Sequence, residues 1–165
     1  MTRSLALKLA LAAFLFVAAG CTPAPRAPDA AADRAAVAAA MERYMTAARK
    51  VDAAGMAAFF TPTGVLFEPG IFPIVTRDSI RAFLSSFPGA TVDSATAVPD
   101  TIEVWDGTAL LWGSYFERLS FPGQPVSEQH GKFVIEWVRQ ADGAWLIERY
   151  YRVPLPSSPA PAPKS

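Results

Sequence analysis

From Thr91 to Val153 the chain reads as four long segments of alternating apolar and polar residues joined by little more than turns. Their bounds are Thr91–Trp105, Thr108–Phe121, Ser127–Gln140 and Ala144–Val153. Alternation sends successive side chains to opposite faces of a strand. The joins carry turn chemistry: Asp106-Gly107, Pro122-Gly123-Gln124-Pro125 and Asp142-Gly143. Strands joined this tightly must run antiparallel, because a parallel crossover needs roughly a dozen residues or more. The second half of the chain is therefore an antiparallel meander, with an irregularity expected at Pro99. Along its third strand Phe133, Ile135 and Trp137 alternate with Lys132, Val134 and Glu136, so one face is apolar and has to be covered.

The first half supplies the cover. Asp29 or Asp33 caps a helix running to about Lys50, with Arg49 and Lys50 at the end its dipole favours. Val37, Met41, Tyr44, Met45 and Ala48 make one apolar stripe along it. Asp52 caps a second, short helix, Ala53 to Phe60, with Met56, Phe59 and Phe60 facing inward and Thr61-Pro62-Thr63-Gly64 as its stop. Val65-Leu66-Phe67 is a short strand ended by Glu68-Pro69-Gly70. A third helix starts at Thr76, presents Ile80, Phe83, Leu84 and Phe87 on one face, and closes at Pro88-Gly89. Three helices and a short strand before a meander make an α+β domain, residues 30–153, with the helices packed on one face of a strongly curved antiparallel sheet.

This order of elements, together with Gly131-Lys132-Phe133, Trp137 and Asp142-Gly143-Ala144-Trp145-Leu146-Ile147, resembles the SnoaL-like branch of the nuclear transport factor 2-like superfamily. The resemblance runs from the first helix to Tyr151. It implies a cone: a bent sheet wraps the long helix and leaves a cavity at the open end. Members of that superfamily include a steroid isomerase, cyclases, dehydratases and association modules, so fold alone does not decide function.

Tyr44, Asp52 and Glu68 are spaced much as in the steroid isomerases, where a tyrosine donates to an oxyanion and a carboxylate abstracts a proton beside a carbonyl. The resemblance thus offers Tyr44 and Glu68 as a catalytic pair for cofactor-free isomerisation, cyclisation or dehydration. Such chemistry needs a base raised by apolar walls and a neutral donor aimed at developing charge. The family's base is Asp, one methylene shorter than Glu68. Its second oxyanion acid would fall near Ile135, or at Glu136 after a one-residue slip. The alternative is a core tyrosine and an ordinary loop carboxylate, with Asp52 a helix cap. Trp112, Tyr115, His130 and Glu136 join Tyr44 and Glu68 as candidate ligand-binding residues, since aromatic walls with a few polar groups suit a small apolar ligand. Glu117, Arg118, Glu148, Arg149 and Arg152 read as cross-strand surface pairs. With one histidine and one cysteine the usual zinc ligands are lacking, and no phosphate loop or nucleophile elbow occurs, so neither metal nor cofactor is expected.

The ends of the chain speak to location. Arg3 and Lys8, the apolar run Leu9–Ala19 and Ala18-Ala19-Gly20 form an export signal, residues 1–20, too short to span a bilayer. Ala18-Ala19-Gly20-Cys21 resembles a bacterial lipobox, with Ala18 where Leu is usual. Cys21 is the only cysteine, and lipidation explains an unpaired thiol in an exported chain. Thr22 in place of Asp suggests the outer membrane, facing the periplasm. Eight of the fifteen prolines lie in two segments: the spacer 21–29 and the tail 154–165, read as extended and disordered. Removal of Arg3 and Lys8 leaves 13 basic against 15 acidic residues, a net charge of −2 with no basic cluster, which argues against nucleic acid. The expected partners are the membrane, through lipid on Cys21, a small apolar ligand, and a second copy as a homodimer. Mass spectrometry of the exported protein should find an acylated Cys21 that Cys21→Ser abolishes; an unmodified, soluble mature protein would sink the anchor.

Overall fold

A computed structural model describes residues 29–156; the segment read as an export signal, Cys21 and the tail beyond Pro156 lie outside them. The order is α1 (Ala30–Arg49), α2 (Ala53–Ala57), β1 (Phe60–Phe67), β2 (Ile74–Val75), α3 (Arg77–Leu84), β3 (Thr91–Trp105), β4 (Thr108–Ser120), β5 (Ser127–Arg139) and β6 (Trp145–Pro154). One six-stranded sheet runs β2-β1-β6-β5-β4-β3. The class is α+β, with the helices on one face of a curved, mostly antiparallel sheet.

Local chemistry accounts for the boundaries. The Asp29 carboxylate accepts from the amides of Ala31 and Ala32 and caps α1. Asp52 caps α2 through the Gly55 amide, and Thr76 caps α3 through Ser79. Asp106 (φ 42°) and Gly107 (φ 76°) both take the left-handed conformation that a two-residue hairpin requires. β3 shifts register between Pro99 and Thr101, at the expected irregularity.

Two expectations need correction. α2 stops at Ala57 rather than Phe60, and β1 begins at Phe60 rather than Val65. Residues 61–64 read as a helix stop, yet tertiary pairing draws them into a strand. Phe60 pairs with Ile147, and the Phe59 carbonyl accepts from the Ile147 amide at 2.7 Å. The register shifts between Phe60 and Val65, which gives Pro62 a place without a ladder donor. The sheet is mostly antiparallel, with β1 running parallel to β6.

The inner face carries Leu111, Phe133, Ile135, Trp137 and Ile147, all fully buried under α1. α1 contributes Val37, Ala40, Met41, Tyr44 and Met45 to that core. Its two ends are tied to β3: Arg34 Nε donates to the Ile102 carbonyl (3.2 Å) and Arg49 Nε to the Ala95 carbonyl (3.1 Å). An ion pair between buried Asp33 and exposed Arg139 joins α1 to β5, with the guanidinium 5.1 Å from the Trp145 ring centroid.

Curvature depends on glycine where strands press together. A Cβ on Gly113 would run into the Val98 carbonyl oxygen and the Pro99 backbone, and one on Gly131 into the Val153 carbonyl. Backbone atoms cannot swing aside as a side chain can. Gly113→Ala should therefore cost about 1–3 kcal/mol in urea unfolding, the usual range for overpacking; an unchanged midpoint would show that the strands do not approach so closely.

Candidate functional site

The helices do not fill the concave face. Between the end of α1, α2, α3 and the outer ends of β3–β6 lies a partly open cavity of about 290 Å³. Its walls are mainly apolar, with Met56, Phe83, Leu84, Phe87, Leu119 and Phe121 the largest contributors. Charge enters in one place. Among the described residues, Glu68, Glu117 and Arg152 are the only ionisable ones lining it.

These three are held as a unit. Arg152 donates from one terminal nitrogen to Glu68 Oε1 (3.3 Å) and from the other to Glu117 Oε2 (2.6 Å). Its guanidinium carbon lies 4.5 Å from the Tyr115 ring centroid. The three side chains are only 15–20 % exposed. Glu68 leaves β1 beside Arg152 because Phe67 pairs with Tyr151. Glu117 sits on the inner face of β4, opposite Ala95.

Arg152 reaches the cavity through a bulge. Trp137 pairs with Ile147 but Glu136 pairs with Arg149, so Glu148 is an extra residue in β6. One extra residue reverses which side chains face the core. Trp145 and Ile147 point inward before the bulge, and Tyr150 and Arg152 do so after it. Thr61 donates to Glu148 Oε2 at 2.7 Å, tying the bulge to the irregular part of β1.

Burial sets the protonation of the group. It raises Glu68 above its ordinary 4.5, as does the neighbouring Glu117 carboxylate, while Arg152 pulls the other way. Arg152 itself stays charged: burial would lower it, but Glu117 and Glu68 outweigh that. Tyr44 is pushed well above 10.0, chiefly by burial, and so remains a neutral phenol.

The expected site residues fall in three places. Glu68 lines the cavity. Tyr44 and Tyr115 belong to the core behind it: Tyr44 packs edge-on against Phe59, Phe60 and Tyr150, and Tyr115 lies under Arg152. Trp112, His130 and Glu136 project from the opposite face of the sheet. There Trp112 continues a row through Val134 and Tyr151 to Phe67, His130 is exposed, and Glu136 pairs with Arg149 at 2.6 Å. The structure thus does not bring Tyr44, Trp112, Tyr115, His130 or Glu136 to the cavity wall.

Glu117 and Arg152, read from sequence as surface partners, are instead the cavity's polar floor. Arg118–Glu128 and Arg149–Glu136 are indeed cross-strand pairs at the surface. The available signal for Glu117 was its place two residues after Tyr115, on the same face. The bulge hid the equivalent signal for Arg152.

The sequence model of the SnoaL-like domain matches residues 29–151. No curated protein matches the chain. Among solved structures, a ketosteroid isomerase-like protein from Erwinia carotovora atroseptica superposes with a TM-score of 0.67 at 20 % identity, covering 74 % of this chain and 96 % of its own. A conserved protein from Planctomyces limnophilus gives 0.67 at 22 % identity, covering 76 % and 99 %. A nuclear transport factor 2-like protein from Novosphingobium aromaticivorans gives 0.64 at 18 %, covering 78 % and 85 %. At such identities these likenesses speak to fold alone. The family match, which takes in the helices and nearly the whole sheet, means that this chain belongs to the SnoaL-like domain family and has the nuclear transport factor 2-like fold.

Proposed function

We propose that this domain binds a small, largely apolar molecule in the cavity under α2 and α3, held at the envelope by lipid on Cys21. The observation that carries the reading is the cavity: about 290 Å³, with mainly apolar walls and one charged cluster on its floor. That is the usual form of a small-molecule site, in which the walls supply affinity and a few polar atoms fix orientation. A patch meant only for protein association has no need of such depth.

An isomerase-like pairing fits less well. It needs the Tyr44 hydroxyl and the Glu68 carboxylate to open into one space, and Tyr44 is not among the residues lining it. Burial raises Glu68, as such a base requires, but its Oε1 is held by Arg152. Binding therefore takes precedence over proton transfer in this reading.

The test uses N-phenyl-1-naphthylamine, a neutral dye at pH 7 that brightens in apolar surroundings. The mature protein should enhance its emission saturably. Val92→Trp, which places bulk in the cavity from a half-buried position on β3, should weaken binding about tenfold, equivalent to roughly 1.4 kcal/mol. Circular dichroism would confirm that the variant folds. Equal binding by both proteins would move the ligand elsewhere, and no binding by either would remove the pocket.

A further inference from the structure

The polar floor of the cavity is unbalanced in two ways. Charge is the first: two carboxylates face one guanidinium, and no other ionisable side chain lines the cavity. The nearest further cation on α1, Arg49, donates to the Ala95 carbonyl and lies outside the lining. Hydrogen-bonding capacity is the second. Each terminal nitrogen of Arg152 gives one N–H, to Glu68 Oε1 and Glu117 Oε2, and the guanidinium face is stacked on Tyr115. Its Nε–H is buried from solvent and has no partner among the described residues. The second oxygens, Glu68 Oε2 and Glu117 Oε1, accept from no described residue, and neither is among the fully buried unpaired atoms.

What the cavity offers a ligand is thus acceptor oxygens with a net negative charge, set in apolar walls. A carboxylic acid entering there would bring a third carboxylate to a single cation that two already share. An alcohol could donate one hydrogen bond. An ammonium could donate several and would also cancel the excess charge, and charge-assisted bonds are roughly twice as strong as neutral ones. Three of the wall residues, Phe83, Phe87 and Phe121, are phenyl rings suited to an apolar or aromatic body.

We infer that the cavity selects a hydrophobic primary amine, with its ammonium on the Glu68 and Glu117 carboxylates and its apolar body among the phenylalanines. This rests on the ligand-binding reading above and names the chemical class that reading leaves open. The selectivity carries a pH signature. The groups facing Glu68 are Arg152 and Tyr150 from β6, Glu117 from β4 and Tyr44 from α1, while α2, α3 and β3 offer only uncharged cavity-lining residues. Both tyrosines are raised and stay neutral, Arg152 stays charged, and Glu68, raised by burial, is a group whose charge changes. Since its proton is held to a higher pH than usual, raising the pH through that range adds a negative charge to the floor and strengthens amine binding.

A matched set of probes separates this inference from the one beneath it. 4-Phenylbutylamine, 4-phenylbutanol and 4-phenylbutanoate share one apolar body and differ at the head. Calorimetry at pH 7 on the mature protein should rank them amine, alcohol, acid, with the amine at least about tenfold tighter than the alcohol. Glu68→Gln and Glu117→Gln, each nearly isosteric and still able to accept from Arg152, should each cut the amine's advantage while leaving alcohol affinity within about twofold. Lowering the pH toward 4.5 should narrow the gap in wild type, and by less in Glu68→Gln. Equal binding of all three probes, or preference for the acid, overturns the amine inference and leaves the pocket standing. Failure of all three to bind overturns both.

Discussion

One residue too many in β6 decides what this fold can do. Glu148 has no partner of its own on β5, and past it the inward and outward positions of the strand exchange. Without the bulge, Arg149, Tyr151 and Val153 would follow Ile147 toward the helices. With it, Tyr150 joins the core against Tyr44 and Phe133, and Arg152 reaches the cavity. The same place on β1 is irregular, and the Thr61–Glu148 hydrogen bond holds the two irregularities together. The parallel pairing that follows, Phe67 with Tyr151, then delivers Glu68 to Arg152. A local defect in pairing thus becomes a buried charge cluster.

Such a cluster is not a source of stability in itself. Taking charges out of water costs several kcal/mol per ion, and mutual attraction offsets that only with good geometry and satisfied hydrogen bonds. Here the geometry is incomplete. Arg152 Nε has no partner among the described residues, and the Glu68 carboxyl is held partly against ionisation. Tyr115 Oη is likewise buried and unpaired among them. A chain selected for stability alone would fill this space with leucine or phenylalanine, as it does around Leu111 and Ile135. Perturbed ionisable groups gathered in a cleft are what a working site requires.

The meander was legible in sequence because its joins are local chemistry: Asp106 and Gly107 can take left-handed conformations, and the alternation around them is long. The helices were legible for the same reason, through the caps at Asp29, Asp52 and Thr76. The first strand was not. Its opening residues, Thr61 to Gly64, carry every local mark of a loop, and only a partner more than eighty positions away makes them a strand. The site divides in the same manner. Glu68 followed from the spacing of a resembling family, and Tyr115 and Glu117 share a face by simple alternation. Arg152 required knowledge of the bulge, which no periodicity in β6 announces. Trp112, His130 and Glu136 had the right chemistry, but their strands turn them to the outer face.

The central claim is that Arg152 is a buried cation spanning two carboxylates, not one of the surface pairs it resembles in sequence. The direct measurement is the unfolding free energy of Arg152→Met against wild type, at pH 7 and near pH 4. Removing the cation from a buried cluster leaves uncompensated carboxylates, and the loss should be about 3–5 kcal/mol at pH 7. It should shrink near pH 4, where Glu68 takes up its proton and needs no counter-ion. A loss of about 1 kcal/mol or less at both pH values, as for an exposed pair, would contradict the account.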